Sequence, residues 1–222
     1  MVAPKLEDVK HRLERLFHEL GLPQYMLSDN GPPFASQGLG GLSRLGVWLL
    51  RLGVQPVFIE PGRPDQNGRH ERFHETLKAE AVNPPRSSIR AQQSAFDKFQ
   101  RYYNEERPHE AIGMYTPSEL YEPSARVMPT ELNGHEYPDK DEVRRVRRDG
   151  SIKWSSGYVF VGEAMAGEQI ALEQTDDDQW FVYLGPMRLG VLHGRTRTVM
   201  PVPIEADSTT VTDVPGHASG QD

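Results

Sequence analysis

A change of hydrophobic period near residue 142 constrains this chain more than any other feature. Up to about Tyr121 the apolar residues recur at helical spacing, broken by two short apolar runs. From Glu142 to Met200 they come instead in short runs at close intervals. Helical and strand periods place apolar side chains on different surfaces, so one layer cannot serve both. The reading is therefore two modules. Residues 1–121 form an α/β part, and residues 142–204 form a small all-β barrel. Residues 122–141 are rich in Pro, Ser and charge, have no period, and read as a linker. Residues 205–222 are polar and poor in large apolar side chains, which suits a disordered tail.

In the first part, residues 5–20 carry Leu6, Val9, Leu13, Leu16, Phe17 and Leu20 on one helical stripe, with Gly21 and Pro23 as stops. Residues 24–28 suit a buried strand that ends in the turn Asp29-Asn30-Gly31. Residues 42–52 are helical but apolar nearly all round, which implies deep burial or an uncovered surface. Residues 54–59 read as a second strand, and Pro56 favours an edge position. Residues 88–104 form a further helix with Ser88 as cap and Ile89, Phe96, Phe99 and Tyr103 as its apolar stripe. Thr116-Pro117-Ser118-Glu119 is a capping box that opens a short helix.

The stretch GRPDQNGRHERFHETLK, residues 62–78, concentrates the chemistry. Its Pro/Gly/Asn-rich half cannot be regular structure, and a helix opens at Arg69 with Phe73 and Leu77 facing inward. Glu71 falls in the first turn, where the helix dipole favours a carboxylate. Arg69, His70, Arg72, His74 and Lys78 surround it. Such a cationic helix start with one carboxylate suits a metal ion and a phosphate. An amphipathic helix with a solvated charged face accounts for the same residues.

In the second part, Asp149-Gly150 reads as a hairpin turn between strands 144–147 and 151–154, with five more short strands up to Met200. Composition excludes some classes. The absence of cysteine rules out disulfides and thiolate zinc sites. No secretory segment and no apolar run long enough to span a bilayer is visible, which implies a cytoplasmic protein. The net charge of −7 speaks against a uniformly basic nucleic-acid binder. The acid is uneven, however: the tail holds Glu205, Asp207, Asp213 and Asp222, while 144–148 and the Glu71 helix are locally basic.

In order, SDNGPPF, a Trp, PGRPDQNGRHERFHETLK and YNEERPHEAIGMYTPSELY resemble the later half of an integrase catalytic core. The family is that of bacterial insertion-sequence transposases related to retroviral integrases. The resemblance covers about residues 5–121. It implies part of a ribonuclease-H-like α/β core, and residues 142–200 resemble the SH3-like barrel that often follows. It further implies DNA integration by metal-dependent phosphodiester strand transfer. Asp29 and Glu71 would be catalytic and metal-holding carboxylates for Mg²⁺ or Mn²⁺. Asn67, Arg69, Arg72 and Lys78 would contact DNA, with His74 nearby and His109 in supporting roles. Partners would be transposon-end and target DNA and, in the intact family, further copies of the chain.

The family's first Asp sits on an upstream strand. In this chain only the helix of residues 5–20 precedes Asp29, and Asp8 within it is no substitute. The expectation is a truncated, inactive fragment, with the rest of the core supplied by an upstream-encoded piece or lost.

Two other readings use the same residues. His70-Glu71-Arg72-Phe73-His74 is H-E-x-x-H, which on a helix could hold zinc with Glu71 as base in a metalloprotease. That chemistry needs a third ligand, and no later residue presents itself. The other reading is a non-catalytic DNA- or partner-binding remnant. There Trp154, Trp180, Phe181 and Tyr183 stack on bases while Arg144, Arg145, Arg147 and Arg148 follow a phosphate backbone. Burial in the barrel core or an interface is the stronger account of the aromatics, and a charged strand edge accounts equally for the arginines.

Overall fold

The computed structural model describes residues 5–59 and 68–202. They fall into two bodies, one of residues 5–59 with 124–202 and the other of residues 68–123. The grouping differs from the expected one: the β module shares a body with the N-terminal elements, and most of residues 122–141 belong to that body.

The first body opens with helix α1 (Leu6–Leu20), stopped by Gly21, whose N–H returns to the Phe17 carbonyl at 3.0 Å. Strand β1 (Tyr25–Ser28) pairs in parallel with β2 (Gln55–Phe58), in the register Tyr25 to Gln55 and Ser28 to Phe58. Between them runs helix α2 (Arg44–Arg51), capped by Ser43, whose hydroxyl accepts from Gly46 N–H at 3.1 Å.

The all-round apolarity of α2 has a direct cause: the helix serves two cores. Leu45, Trp48, Leu49 and Leu52 pack with Phe17, Leu22 and Val54, and Phe17 stacks on Trp48 at 6.0 Å. Leu42, Val47 and Leu50 enter the core of the β module instead. Of the two readings of residues 42–52, deep burial holds, because the β module covers the face that the α1–α2 core leaves open.

That module holds a five-stranded antiparallel sheet in the order β3 (Glu142–Arg145), β6 (Gln169–Asp176), β7 (Gln179–Leu184), β8 (Met187–His193) and β9 (Thr198–Pro201). A separate hairpin joins β4 (Ser151–Trp154) to β5 (Gly157–Phe160). Both enclose one core that includes Ile152, Val159, Ile170, Val182 and Leu189. The turn at Asp149-Gly150 exists, with Arg147 N–H donating to Ser151 O at 2.7 Å. The expected pairing across it does not. β3 pairs with β6 and β4 with β5. Buried Val146 and Ile152 both turn into the core, so the chain crosses from one sheet to the other at this turn.

Residues 124–141 run as a strap over the first body. Arg126 spreads its guanidinium over three carbonyls: Pro23 at 2.7 Å, Leu52 at 3.1 Å and Gly53 at 2.7 Å. Two of these close the C-terminal end of α2, where carbonyls lack intrahelical partners. Gly53 has φ of +69°, and a Cβ there would meet the Arg126 guanidinium at 2.8 Å, so the position demands glycine twice over. Met128 and Leu132 pack against the α1–α2 core, and Arg51 donates to Leu132 O at 2.7 Å. Tyr137 donates from its hydroxyl to Gln169 O and accepts from Gly185 N–H.

The second body holds α3 (Gly68–Leu77), which runs on into a π-helical turn (Lys78–Val82), then α4 (Ile89–Arg101) and a short α5 (Pro117–Leu120). Ser88 caps α4 by accepting from Ala91 N–H, and Thr116 with Glu119 forms the expected capping box at α5. Ile89, expected on the inner stripe of α4, is 91% exposed. It occupies the first helical position, before the packed face begins.

Candidate metal and nucleic-acid site

Asp29 follows β1 at the C-terminal end of the parallel pair. Ile59 N–H donates to Ser28 O at 3.1 Å, and the Asn30 side-chain amide donates to Ile59 O at 2.9 Å. The turn is thus tied to the end of β2. Gly31 N–H donates to Asp29 Oδ1 at 3.1 Å, an Asx turn that orients the carboxylate. Asp29 itself is exposed. Strand-end positions of this kind are where ligands gather in α/β layers.

Glu71 is exposed in the first turn of α3, in the other body. Helix spacing puts His74, Glu75 and Lys78 on its face. Phe73 anchors the helix, edge-on to Tyr103 at 5.2 Å and tilted against Phe99 at 6.1 Å. Arg72 and Lys78 are both exposed. His70 and His74 meet through their Nε2 atoms at 2.8 Å. Burial, then the charges of His70 and Lys78, push the His74 imidazole below its ordinary pKa. Asn67 lies outside the described residues, as does the side chain of Arg69.

The RPH segment works as a clasp. Arg107 pairs with Glu80 at 3.2 Å and lies over the Tyr103 ring, while His109 Nε2 meets Tyr103 O at 3.1 Å. Gln92 donates to Ala81 O at 2.6 Å and accepts from Arg86 N–H. These bonds lock the π-helical turn after α3 onto α4, and so hold Lys78 at a fixed place on its helix. His109 thus braces the scaffold through Tyr103.

In the β module, Trp154 is buried and packs edge-on against Trp180 at 4.6 Å, so neither is a free stacking platform. Phe181 is covered by the Arg188 guanidinium at 4.8 Å. The exposed rings are Tyr158 (57%) and Phe160 (63%), on the outer face of β5. Arg147 lies over Tyr158 at 4.3 Å, Lys153 stands opposite Tyr158 across the hairpin, and Arg197 donates to Ser156 Oγ at 2.9 Å. Sequence reading missed these two rings. The alternation Tyr158, Val159, Phe160, Val161 was the signal available, since two β-branched residues facing inward force the aromatics outward.

Among the described residues, no three His, Asp or Glu side chains gather as a metal-holding group. No helix among them is long and apolar enough to cross a membrane.

Residues 52–117 match the family model for the integrase core domain. An uncharacterized 39.2 kDa protein of insertion element IS476 from Xanthomonas euvesicatoria is 31% identical over 101 residues, which is 45% of this chain and 28% of that protein. An uncharacterized 31.7 kDa protein of insertion element IS407 from Burkholderia multivorans is 31% identical over 113 residues, 50% of this chain and 39% of that protein. The Pol polyprotein of feline endogenous virus ECE1 is 40% identical over 80 residues, 35% of this chain and 6% of the polyprotein. The chain therefore spans well under half the length of these relatives. Its middle segment is of integrase core type, as the motifs indicated.

Proposed function

We propose that this chain serves DNA integration or transposition through metal-dependent phosphodiester strand transfer, with Asp29 and Glu71 as metal-holding carboxylates. The observation that carries the reading is Glu71, exposed in the first turn of α3 inside the segment that matches the integrase core. The donor set fits Mg²⁺ or Mn²⁺, because both residues offer hard carboxylate oxygens and the chain has no cysteine. Bound ions of this kind activate an attacking hydroxyl or water and steady the leaving oxygen.

The chain's own residues have separate tasks. The Asx turn at Asp29 aims one carboxylate. Phe73 fixes the rotation of α3 and with it the direction of Glu71. Arg72 and Lys78, with Arg69 and Asn67 by resemblance, neutralise DNA phosphates. The outer face of β5, with Tyr158, Phe160, Arg147 and Lys153, offers stacking and charge together and supplies a second DNA contact. Like other integrase-type systems, the assembly would use several copies. These 222 residues provide two of the three carboxylates that the resemblance implies.

The β5 face also favours the non-catalytic DNA-binding reading. One experiment separates them. Binding of labelled duplex DNA is followed across salt concentrations for the parent chain, for the pair Arg72→Ala with Lys78→Ala, and for Tyr158→Ala. If both surfaces act, the first pair lowers the salt slope by about 2, and Tyr158→Ala weakens binding with little change of slope. An unchanged slope in the first pair means that α3 makes no phosphate contacts. That result leaves only the non-catalytic reading.

A further inference from the structure

We propose that His70 and His74 form a chelate for one divalent transition ion of the Ni²⁺ or Cu²⁺ type on the exposed side of α3. The two imidazoles stand one helical turn apart, and their Nε2 atoms are 2.8 Å apart. The ring planes are perpendicular, with centroids 4.3 Å apart. Phe73 braces both rings, stacked on His70 at 6.5 Å and edge-on to His74 at 5.7 Å, and is itself held by Phe99 and Tyr103. The pair is thus preorganised on a rigid element.

The separation selects the geometry. Two imidazole nitrogens at about 2.0–2.1 Å from a shared ion lie about 2.9 Å apart at a right angle, and about 3.3–3.4 Å apart in a tetrahedron. The 2.8 Å found here fits neighbouring positions of a square or octahedral ion. Those are the geometries of Cu²⁺ and Ni²⁺, whereas structural zinc prefers the tetrahedron. Imidazole nitrogen also discriminates against Mg²⁺, which takes oxygen. No third His, Asp or Glu joins the pair among the described residues, and the chain has no cysteine. Water fills the remaining positions, so the ion is exchangeable. This chelate differs from a catalytic zinc centre, which takes three protein ligands. Without an ion, one ring donates a hydrogen bond to the other and keeps the pair in register.

The test is calorimetric titration of the full chain with Ni²⁺ in excess Mg²⁺, for the parent, His70→Asn, His74→Asn and the double variant. Thermal melts monitor folding, and His74→Gln stands in if an Asn variant is unstable. The expected result is one Ni²⁺ site in the parent, weakened at least about tenfold in each single variant and no further in the double, since a chelate needs both rings. Parent binding no tighter than that of the double variant overturns the proposal. So do losses that simply add, because the rings then bind separately.

Discussion

Arg126 donates from Nη2 to the carbonyl oxygen of Gly53 at 2.7 Å, joining residues 73 positions apart. With its bonds to Leu52 and Pro23, this one guanidinium satisfies the end of α2 and the entry to β1. Charge-assisted bonds of this kind contribute more than neutral ones, and a carbonyl left without a partner costs extra. Arg126→Met keeps the apolar stem and removes the donors. It should lower stability by about 2–3 kcal/mol, read as a shifted urea midpoint at unchanged slope. A variant as stable as the parent would show that water serves those carbonyls equally well.

Leu50 is 1% exposed and belongs to the β-module core although it lies on α2. Leu50→Ala should cost about 2–5 kcal/mol, like other buried leucine truncations. A fragment of residues 142–202 loses Leu42, Val47 and Leu50 together and exposes the surface that they cover. It should unfold at a lower denaturant concentration than the full chain and bind a hydrophobic dye. Cooperative unfolding of the fragment at the midpoint of the full chain would restore the boundary read from the sequence.

His135 lies in the strap, where burial and then the Arg51 charge hold its imidazole below the ordinary pKa. The folded state thus favours the neutral ring. The unfolded chain binds more protons over the window from about 6.5 downward to the depressed folded value. The stability contributed by the neutral ring is fully present above about pH 6.5 and is lost as pH falls through that window. His135→Asn should flatten the decline of stability between pH 7 and 5, measured by denaturant titration at each pH. An equal slope in parent and variant would assign the acid sensitivity elsewhere.

Much of the local structure was legible because it rests on short-range chemistry. Gly21 stops α1, Ser88 caps α4, and Thr116 with Glu119 makes its box within four residues. What escaped depends on partners far along the chain. Residues 122–141 lack any period because Arg126, Leu132 and Tyr137 act singly, each on a different distant element. The pairing of β3 with β6 overrides the local turn at Gly150, since burial of Val146 and Ile152 decides it. At the candidate site, the turn at Asp29 and the helix start at Glu71 were legible from local signals. Tyr158 and Phe160 were passed over for Trp154 and Trp180, which are larger but face the core.

The most direct measurement is Mn²⁺ binding to the full chain by calorimetry, compared among the parent, Asp29→Asn, Glu71→Gln and their double variant. The assignment predicts Mn²⁺ binding that weakens in each single variant and most in the double, because each change removes a hard carboxylate ligand. The pair His70→Asn with His74→Asn should leave that ion in place. Mn²⁺ binding indifferent to both Asp29 and Glu71, or lost only with the histidines, would contradict the carboxylate assignment and with it the strand-transfer reading.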